Sequence, residues 1–278
     1  MSHSEAGKMR VREIRGRNAL LGLPLCVLAV AVMACFVFSC GASKEIGSET
    51  AENQFERAKR RYDAGRYLEA IEQFKTLLAR FPGSKYAEPA TFFLGKSRFE
   101  SKEYLMAEME FERIVRDFPR GDYAEEATFM LGMCAYAQRR PAPYDQTATE
   151  RAILLLTGYV SLYPGGAFLQ QAEEKLKECR SLLAKKLQAN GELYLKLHLP
   201  TAARLSFEEV LEKYEDLNWA DWALVGIAKS YEQEENWAKA AETYEGVLER
   251  DGDAEALGTA KERLRKLRER IETSESSG

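Results

Sequence analysis

The sequence has little of the chemistry that enzymes and metalloproteins use. Its 278 residues include only two histidines, and its five cysteines form no C-x-x-C pair, which excludes a zinc finger and a dense disulfide framework. His3 and His198 alone leave almost nothing for a histidine-based metal or acid–base site. The chain also lacks G-x-S-x-G, H-E-x-x-H, P-loop and G-x-G-x-x-G motifs. The sequence therefore predicts a protein that is not an enzyme and that uses no metal or cofactor.

Proline is scarce, and neither sign of charge dominates. There are 8 prolines, 40 Lys and Arg residues and 44 Asp and Glu residues, and 45% of the chain is hydrophobic. This composition is ordinary for a globular protein and excludes a collagenous, mucin-like or wholly disordered chain. The formal net charge of −4 argues against a nucleic-acid-binding protein, which would neutralise phosphates with an excess of cations.

The N-terminus has the pattern of an export signal. Residues 1–18 carry five Lys and Arg residues against two Glu residues, and residues 19–38 carry no charge. A basic stretch followed by an apolar one is typical of a secretory signal, although 20 apolar residues are also long enough for an uncleaved membrane anchor. Val37-Phe38-Ser39-Cys40-Gly41 resembles the bacterial lipobox, which implies cleavage before Cys40 and acylation of that residue. Phe38 departs from the small or hydroxyl residue usual at its position.

These features divide the chain into four predicted segments. They are a lipoprotein signal peptide at 1–39, a flexible tether at 40–51, a folded region at 52–271 and a disordered tail at 272–278. Several acyl chains on Cys40 would hold the protein firmly on a membrane, because a single chain binds only marginally. Cys134 and Cys179 are predicted to lie in helices as small buried hydrophobic residues and not to form a bridge.

An internal repeat organises the folded region. Residues 55–90 align without gaps on residues 92–127 at an offset of 37. The pattern resembles the tetratricopeptide repeat, in which small residues let two antiparallel helices cross closely and an aromatic residue fills the remaining space. A proline ends the second helix because it cannot donate the next hydrogen bond. The aligned pairs are Ala58 with Gly95, Tyr62 with Phe99, Tyr67 with Tyr104, Ala70 with Ala107, Phe74 with Phe111, Phe81 with Phe118 and Pro82 with Pro119.

The spacing of later repeats is irregular. The marker alanine of the second helix recurs at 70, 107, 152, 203 and 240. Residues 139–150 supply the extra length of the third repeat, and residues 168–197 predict one long helix because they contain no proline and one glycine. The fifth repeat ends at Asp251-Gly252, where glycine is expected to stop the helix. A capping helix is predicted at 254–271. The predicted fold is all-α: a tetratricopeptide-repeat α-solenoid of about five helix pairs with a capping helix, preceded by a lipoprotein signal peptide.

This combination is similar to the BamD-type outer-membrane lipoproteins of the β-barrel assembly machinery. The resemblance rests on Cys40, on YDAGRYLEAIEQFKTLLARFPGSKYAEPA and ESKEYLMAEMEFERIVRDFPRGDYAEEA, and on YDQTATERAILLLTGYVSLYPGG with its insertion. It implies a lipid-anchored scaffold on the periplasmic face of the outer membrane. The implied partners are a POTRA domain of the barrel-inserting subunit, bound by the C-terminal repeats, and unfolded outer-membrane proteins, received by the N-terminal repeats. Accessory lipoproteins are further implied partners. The sequence departs from the family pattern in the fifth repeat, which lacks the terminal proline, and in its basic end helix.

Aromatic residues recur on the first helix of successive repeats, the helices that line the concave face of such solenoids. An unfolded barrel segment ends in an aromatic residue and a free carboxylate, so this ladder is a candidate peptide-binding site. The same spacing is equally compatible with packing between paired helices, and the lysines are compatible with a solvated surface. The candidate residues are Phe55, Lys59, Tyr62, Phe92, Lys96, Phe99 and Phe129.

One alternative from another class remains at this stage. A periplasmic repeat protein that coordinates cell-wall synthesis or cell division would share the export signal and the helix pairs. Such proteins usually carry a coiled coil before the repeats, for which residues 41–51 are too short.

Overall fold

A computed structural model describes residues 49–276 of the chain. Within this range it contains eleven α-helices and no strand. Consecutive helices form five pairs, followed by a single helix at the C-terminal end. The helices are α1 (Ala51–Asp63), α2 (Tyr67–Arg80), α3 (Ala87–Glu100), α4 (Tyr104–Asp117), α5 (Ala124–Ala137), α6 (Thr147–Leu162), α7 (Leu169–Lys196), α8 (Pro200–Tyr214), α9 (Trp219–Gln233), α10 (Trp237–Leu248) and α11 (Ala254–Ser276).

Each helix packs mainly on its neighbours along the chain, as in a solenoid. The protein is therefore an all-α tetratricopeptide-repeat solenoid of five pairs and a capping helix, as the sequence predicted. The long helix predicted at 168–197 is also present, as the 28 residues of α7. No described helix combines the length and the hydropathy that crossing a membrane requires.

Small residues and aromatic rings fit together where the helices of a pair cross. Ala58, Ala70 and Phe74 are completely buried in the first pair, as the repeat pattern predicted. A Cβ built on Gly95 would lie 2.8 Å from Cε1 of the Phe111 ring, so only glycine lets this ring approach α3. The small residues thus set the distance between paired helices.

Four turns between paired helices use the left-handed backbone conformation. Gly65 has φ 70°, and the equivalent positions are Lys102 at 63°, His198 at 55° and Glu235 at 58°. Glycine adopts this conformation without cost, whereas the other three residues are held in it by the surrounding turn. His198 is therefore an exposed turn residue.

Carboxylates connect one repeat to the next. Glu88 accepts a hydrogen bond from the backbone N–H of Tyr123, with an N–O distance of 3.0 Å. Asp221 accepts one from the N–H of Asp253 at 2.8 Å. Each acid lies near the start of a first helix and binds the backbone just before the next first helix or the cap. In both cases a glycine just before the hydrogen-bonded residue leaves room for the carboxylate. A Cβ on Gly121 would lie 2.0 Å from Glu88 Oε1, and a Cβ on Gly252 would lie 2.1 Å from Asp221 Oδ2.

Gly252 therefore has a different role from the one expected. Helix α10 ends at Leu248, four residues earlier, and Gly252 does not adopt a positive φ. Its missing side chain makes room for the Asp221 carboxylate and does not form the helix cap.

The two ends of the described region also differ from the predicted boundaries. Helix α1 already includes Ala51, and Thr50 caps it by accepting from the N–H of Asn53. Helix α11 continues to Ser276, beyond the end predicted at residue 271, so most of the segment 272–278 expected to be disordered is helical. The Thr273 hydroxyl shares its one proton between the carbonyl groups of Glu269 and Arg270 in the preceding turn, as a threonine inside a helix commonly does.

Cys134 and Cys179 are free, fully buried and helical, as predicted. Burial raises the pKa of the Cys134 thiol to about 12, which keeps it unreactive as a nucleophile. The signal peptide predicted at 1–39, the acylated Cys40 and the tether up to residue 48 lie outside the described residues.

Candidate binding surface

The predicted aromatic ladder separates into buried and accessible members. Phe92 is 1% exposed and Phe129 is 6% exposed, and both belong to one hydrophobic core cluster with Phe111 and Tyr159. Phe129 stacks on Phe168 with ring centroids 4.9 Å apart. These two rings have almost no surface to offer a peptide, so their periodic spacing reflects packing between helices. The binding role predicted for Phe92 and Phe129 does not fit their burial.

Phe55, Tyr62 and Phe99 remain partly exposed on α1 and α3. Phe99 packs edge to face on Tyr104, with ring centroids 5.4 Å apart, and Tyr62 packs on Tyr67 at 5.7 Å. Phe99 and Tyr62 therefore also stabilise the turn between the two helices of their pair. Burial, followed by the nearby charge of Glu100, raises the pKa of Tyr62 to about 12. The phenol is therefore a neutral hydrogen-bonding group at physiological pH.

Phe93 joins these residues, and the sequence reasoning missed it. Its ring is partly exposed and lies within 6.2 Å of five other aromatic rings, including those of Phe55 and Tyr62. The residues at the matching repeat positions are Glu56 and Met130, so the repeat gave no aromatic signal here. We call the surface formed by the partly exposed side chains of α1 and α3 the aromatic face; it consists of Phe55, Lys59, Tyr62, Phe93, Lys96 and Phe99.

Both lysines of the aromatic face lie over aromatic rings, Lys59 over Phe93 of that face and Lys96 over the buried Phe92. The ammonium of Lys59 is 4.8 Å from the Phe93 centroid, and that of Lys96 is 5.4 Å from the Phe92 centroid. Each also has a carboxylate partner: Lys59 Nζ is 2.5 Å from Asp63 Oδ1, and Lys96 Nζ is 2.9 Å from Glu126 Oε1. These cation–π contacts hold both ammonium groups in place. A peptide carboxylate that binds here has to share them with Asp63 and Glu126.

A cluster of polar side chains connects α5 with α7. The Tyr136 hydroxyl donates a short hydrogen bond to Glu178, which also pairs with Lys175 at 2.7 Å. The guanidinium of Arg139 lies 3.4 Å from the centroid of the Tyr136 ring. Burial and the bond to Glu178 raise the pKa of the Tyr136 phenol. The charges of this cluster pair with one another, so the cluster connects α5 with α7 and offers no free charge.

The described residues contain no cluster of three or more His, Cys, Asp or Glu side chains that could hold a metal ion. What the fold provides is a stack of helix pairs with partly exposed rings and lysines on one side of its N-terminal end. Fold and surface together define a helical-repeat protein whose chemistry suits the binding of other polypeptides.

The family to which the chain belongs is shown by comparison with known proteins. Residues 48–246 match the YfiO family of outer membrane lipoproteins, and because this match spans most of the chain, the protein belongs to that family. The outer membrane protein assembly factor BamD of Caulobacter vibrioides is 24% identical over 215 residues, which are 76% of this chain and 70% of that protein. The resemblance inferred from the sequence is thus confirmed for the family and its association with the outer membrane.

Solved structures with helical repeats give more distant matches. A thermophilic TPR protein of Thermus thermophilus is 17% identical and matches 78% of this chain and 98% of its own, with a TM-score of 0.35. The TPR2AB domain of yeast Sti1, in complex with pHSP90, is 14% identical and matches 83% of this chain and 87% of its own, with a TM-score of 0.42. The fold assignment rests on the helix pairs described above.

Proposed function

We propose that this protein is a non-enzymatic scaffold of the β-barrel assembly machinery, anchored through lipidated Cys40 to the periplasmic face of the outer membrane. It binds a POTRA domain of the barrel-inserting subunit and unfolded outer-membrane proteins, and it promotes their insertion. The observation that carries this proposal is the family match over residues 48–246, supported by the similarity to an assembly factor.

The aromatic face supports a role in holding unfolded chains. Its rings are fixed by neighbouring rings and by repeat packing, so little conformational freedom is lost when a peptide aromatic group docks beside Phe93 and Tyr62. Lys59 and Lys96 lie on the same face and would attract the terminal carboxylate of a barrel segment. The POTRA domain is assigned to the C-terminal repeats by analogy with the family.

The partners are tested by a pull-down in detergent of the full chain, followed by mass spectrometry. We expect to recover a POTRA-containing barrel protein. Recovery of cell-wall synthases without that protein would contradict the proposal and favour the cell-wall scaffold considered above.

The peptide role is tested by titrating a peptide that ends in an aromatic residue with a free carboxylate. The double variant Lys59→Glu with Lys96→Glu reverses both charges of the aromatic face and should weaken binding by about tenfold or more. The matched control is Lys75→Glu with Lys213→Glu, which reverses two lysines on the second helices α2 and α8 that also have a carboxylate partner. Equal affinity in the two double variants would remove the carboxylate role of Lys59 and Lys96.

A further inference from the structure

A cleft opens at the other end of the solenoid, between α7, α9, α10 and α11. Its volume is about 410 Å³. We call it the C-terminal cleft; it is lined by Leu195, Lys196, His198, Lys229, Glu232, Gln233, Trp237, Arg263 and Arg270. None of these residues belongs to the aromatic face.

The charge of the C-terminal cleft is strongly one-sided. Four cationic side chains, those of Lys196, Lys229, Arg263 and Arg270, face a single carboxylate. That carboxylate, Glu232, is already engaged, because it accepts a hydrogen bond from the Tyr244 hydroxyl at 2.5 Å and pairs with Arg263 at 3.2 Å. The cleft therefore has a surplus of positive charge although the whole chain is acidic.

Lys229 is the most constrained of these cations. Its side chain is half-buried on α9, and it forms no ion pair or hydrogen bond with the residues that the structure describes. Burial, and then the nearby Arg263, lowers the pKa of the ammonium, while Glu192 and Glu232 act on it from beyond ion-pair distance. An incoming anion would relieve this unfavourable charge, so Lys229 is the position where a ligand carboxylate gains most.

Three other cations of α11 have carboxylate partners. Arg265 pairs with Glu262 and Glu269, Lys266 pairs with Glu262, and Arg268 pairs with Glu245. Arg270, by contrast, pairs with no carboxylate among the described residues.

Trp237 and Leu195 add an apolar surface to the cleft. The guanidinium of Arg270 lies 4.3 Å from the centroid of the Trp237 ring, which positions both groups at the same wall. Leu195 is 9% exposed and forms part of the floor. A ligand that fits the cleft therefore carries carboxylates, which pair with the cations, and short apolar groups, which pack on the indole ring of Trp237.

We propose that the C-terminal cleft binds an acidic peptide segment of a partner protein, with one of its carboxylates on Lys229. Charge complementarity favours this occupant, and the shape of the site favours a peptide over a membrane. A plane of lipid headgroups meets a flat or convex basic surface, whereas these cations converge on a recess between four helices. The site shares no residue with the aromatic face. It lies in the C-terminal repeats to which the proposed function assigns the POTRA domain, but the inference does not rest on that assignment, because a peptide titration tests it separately from the pull-down.

The test uses the full chain in detergent and a short fluorescent peptide rich in glutamate, with fluorescence anisotropy as the measurement. The wild type should bind this peptide, and it should not bind the peptide in which every glutamate is replaced by glutamine. Lys229→Gln removes the central cation and should weaken binding by about tenfold. The matched control is Lys266→Gln, which causes the same change in net charge at a residue of α11 that does not line the cleft.

Three results would overturn the proposal. The first is no binding of the glutamate peptide by the wild type at low salt. The second is an equal loss of affinity in Lys229→Gln and Lys266→Gln, which would mean general attraction to net charge. The third concerns two measurements on Lys229→Gln. If this variant still binds the peptide but no longer binds vesicles that contain phosphatidylglycerol, the cleft binds the membrane and not a peptide. Circular dichroism of each variant shows whether its helices are intact, and Arg270→Gln provides a second cleft variant if Lys229→Gln does not fold.

Discussion

At the scale of single residues, glycine and aromatic rings determine how closely neighbouring helices approach. The ring of Phe207 on α8 lies between two glycines, and a Cβ on either Gly191 or Gly226 would come within 2.4 Å of it. This arrangement repeats the contact of Gly95 with Phe111 in the second helix pair. A side chain of one carbon is therefore too large at these crossings.

This contact predicts the effect of adding a single methyl group. Gly226→Ala should lower the free energy of unfolding by about 1–3 kcal/mol, because the methyl group overpacks the Phe207 ring. Gly158→Ala is the matched control, since Gly158 lies in α6 and its Cβ would meet no atom within 4 Å. It should raise stability by roughly 0.5–1 kcal/mol through higher helix propensity. Urea denaturation followed by circular dichroism measures both, and similar stability of the two variants would contradict this account.

At the scale of helices, the contacts between carboxylates and backbone amides determine how one repeat follows the next. Asp221 on α9 is 3% exposed and binds two groups: the N–H of Asp253 just before α11, and Nε of Arg250 at 2.6 Å. It therefore attaches the capping helix to the last repeat. Glu88 attaches α5 to α3 in the same way.

Removing this attachment should release the cap selectively. Asp221→Ala leaves Arg250 and the Asp253 amide without their buried acceptor, so we expect a loss of roughly 1–3 kcal/mol. Hydrogen exchange measured by mass spectrometry should become faster in α11 and stay unchanged in α1–α5, because repeats contact only their neighbours. Asp251→Ala removes an exposed carboxylate from the same loop and serves as the control. Equal exchange of α11 in the two variants would show that Asp221 does not hold the cap.

At the scale of the whole molecule, phenols that are fully or partly buried make the fold sensitive to high pH. Burial is the main cause of a raised pKa at six described tyrosines, and the pKa of Tyr159 reaches about 12 against an ordinary value of 10. The six tyrosines are Tyr62, Tyr123, Tyr136, Tyr159, Tyr214 and Tyr244.

The sign of the effect follows from proton binding. Above pH 10 the unfolded chain releases phenol protons that the folded chain still holds, so the stability contributed by these groups is complete below pH 10 and is lost as the pH rises towards 12. We expect phenolate absorbance to rise steeply together with the loss of helical circular dichroism. Gradual ionisation of all tyrosines near pH 10 with helicity unchanged would contradict the burial described here.

The repeat pattern was sufficient to predict the helix pairs, because small and aromatic residues at fixed spacing have one common use in paired helices. It also predicted the long α7 and the buried cysteines. It did not distinguish the buried Phe92 from the partly exposed Phe93, because adjacent residues on a helix differ in burial only through the helices packed around them. Which rings are exposed on the aromatic face therefore depends on the positions of α1, α3 and α5 relative to one another.

The sequence by itself determined the family, the class of fold and the order of its repeats, since these depend on local periodicity and on residues that stop or permit helices. The tertiary structure alone decided which charges are free. The partner of Lys59, Asp63, is one turn away on the same helix, whereas the partner of Lys96 is 30 positions away on α5. Lys229 showed no pattern, yet the packing of α7, α9 and α11 leaves it as an unpaired ammonium in a cleft. Whether a charge is free depends on distances in space, and residues far apart in the chain set those distances only when the helices pack.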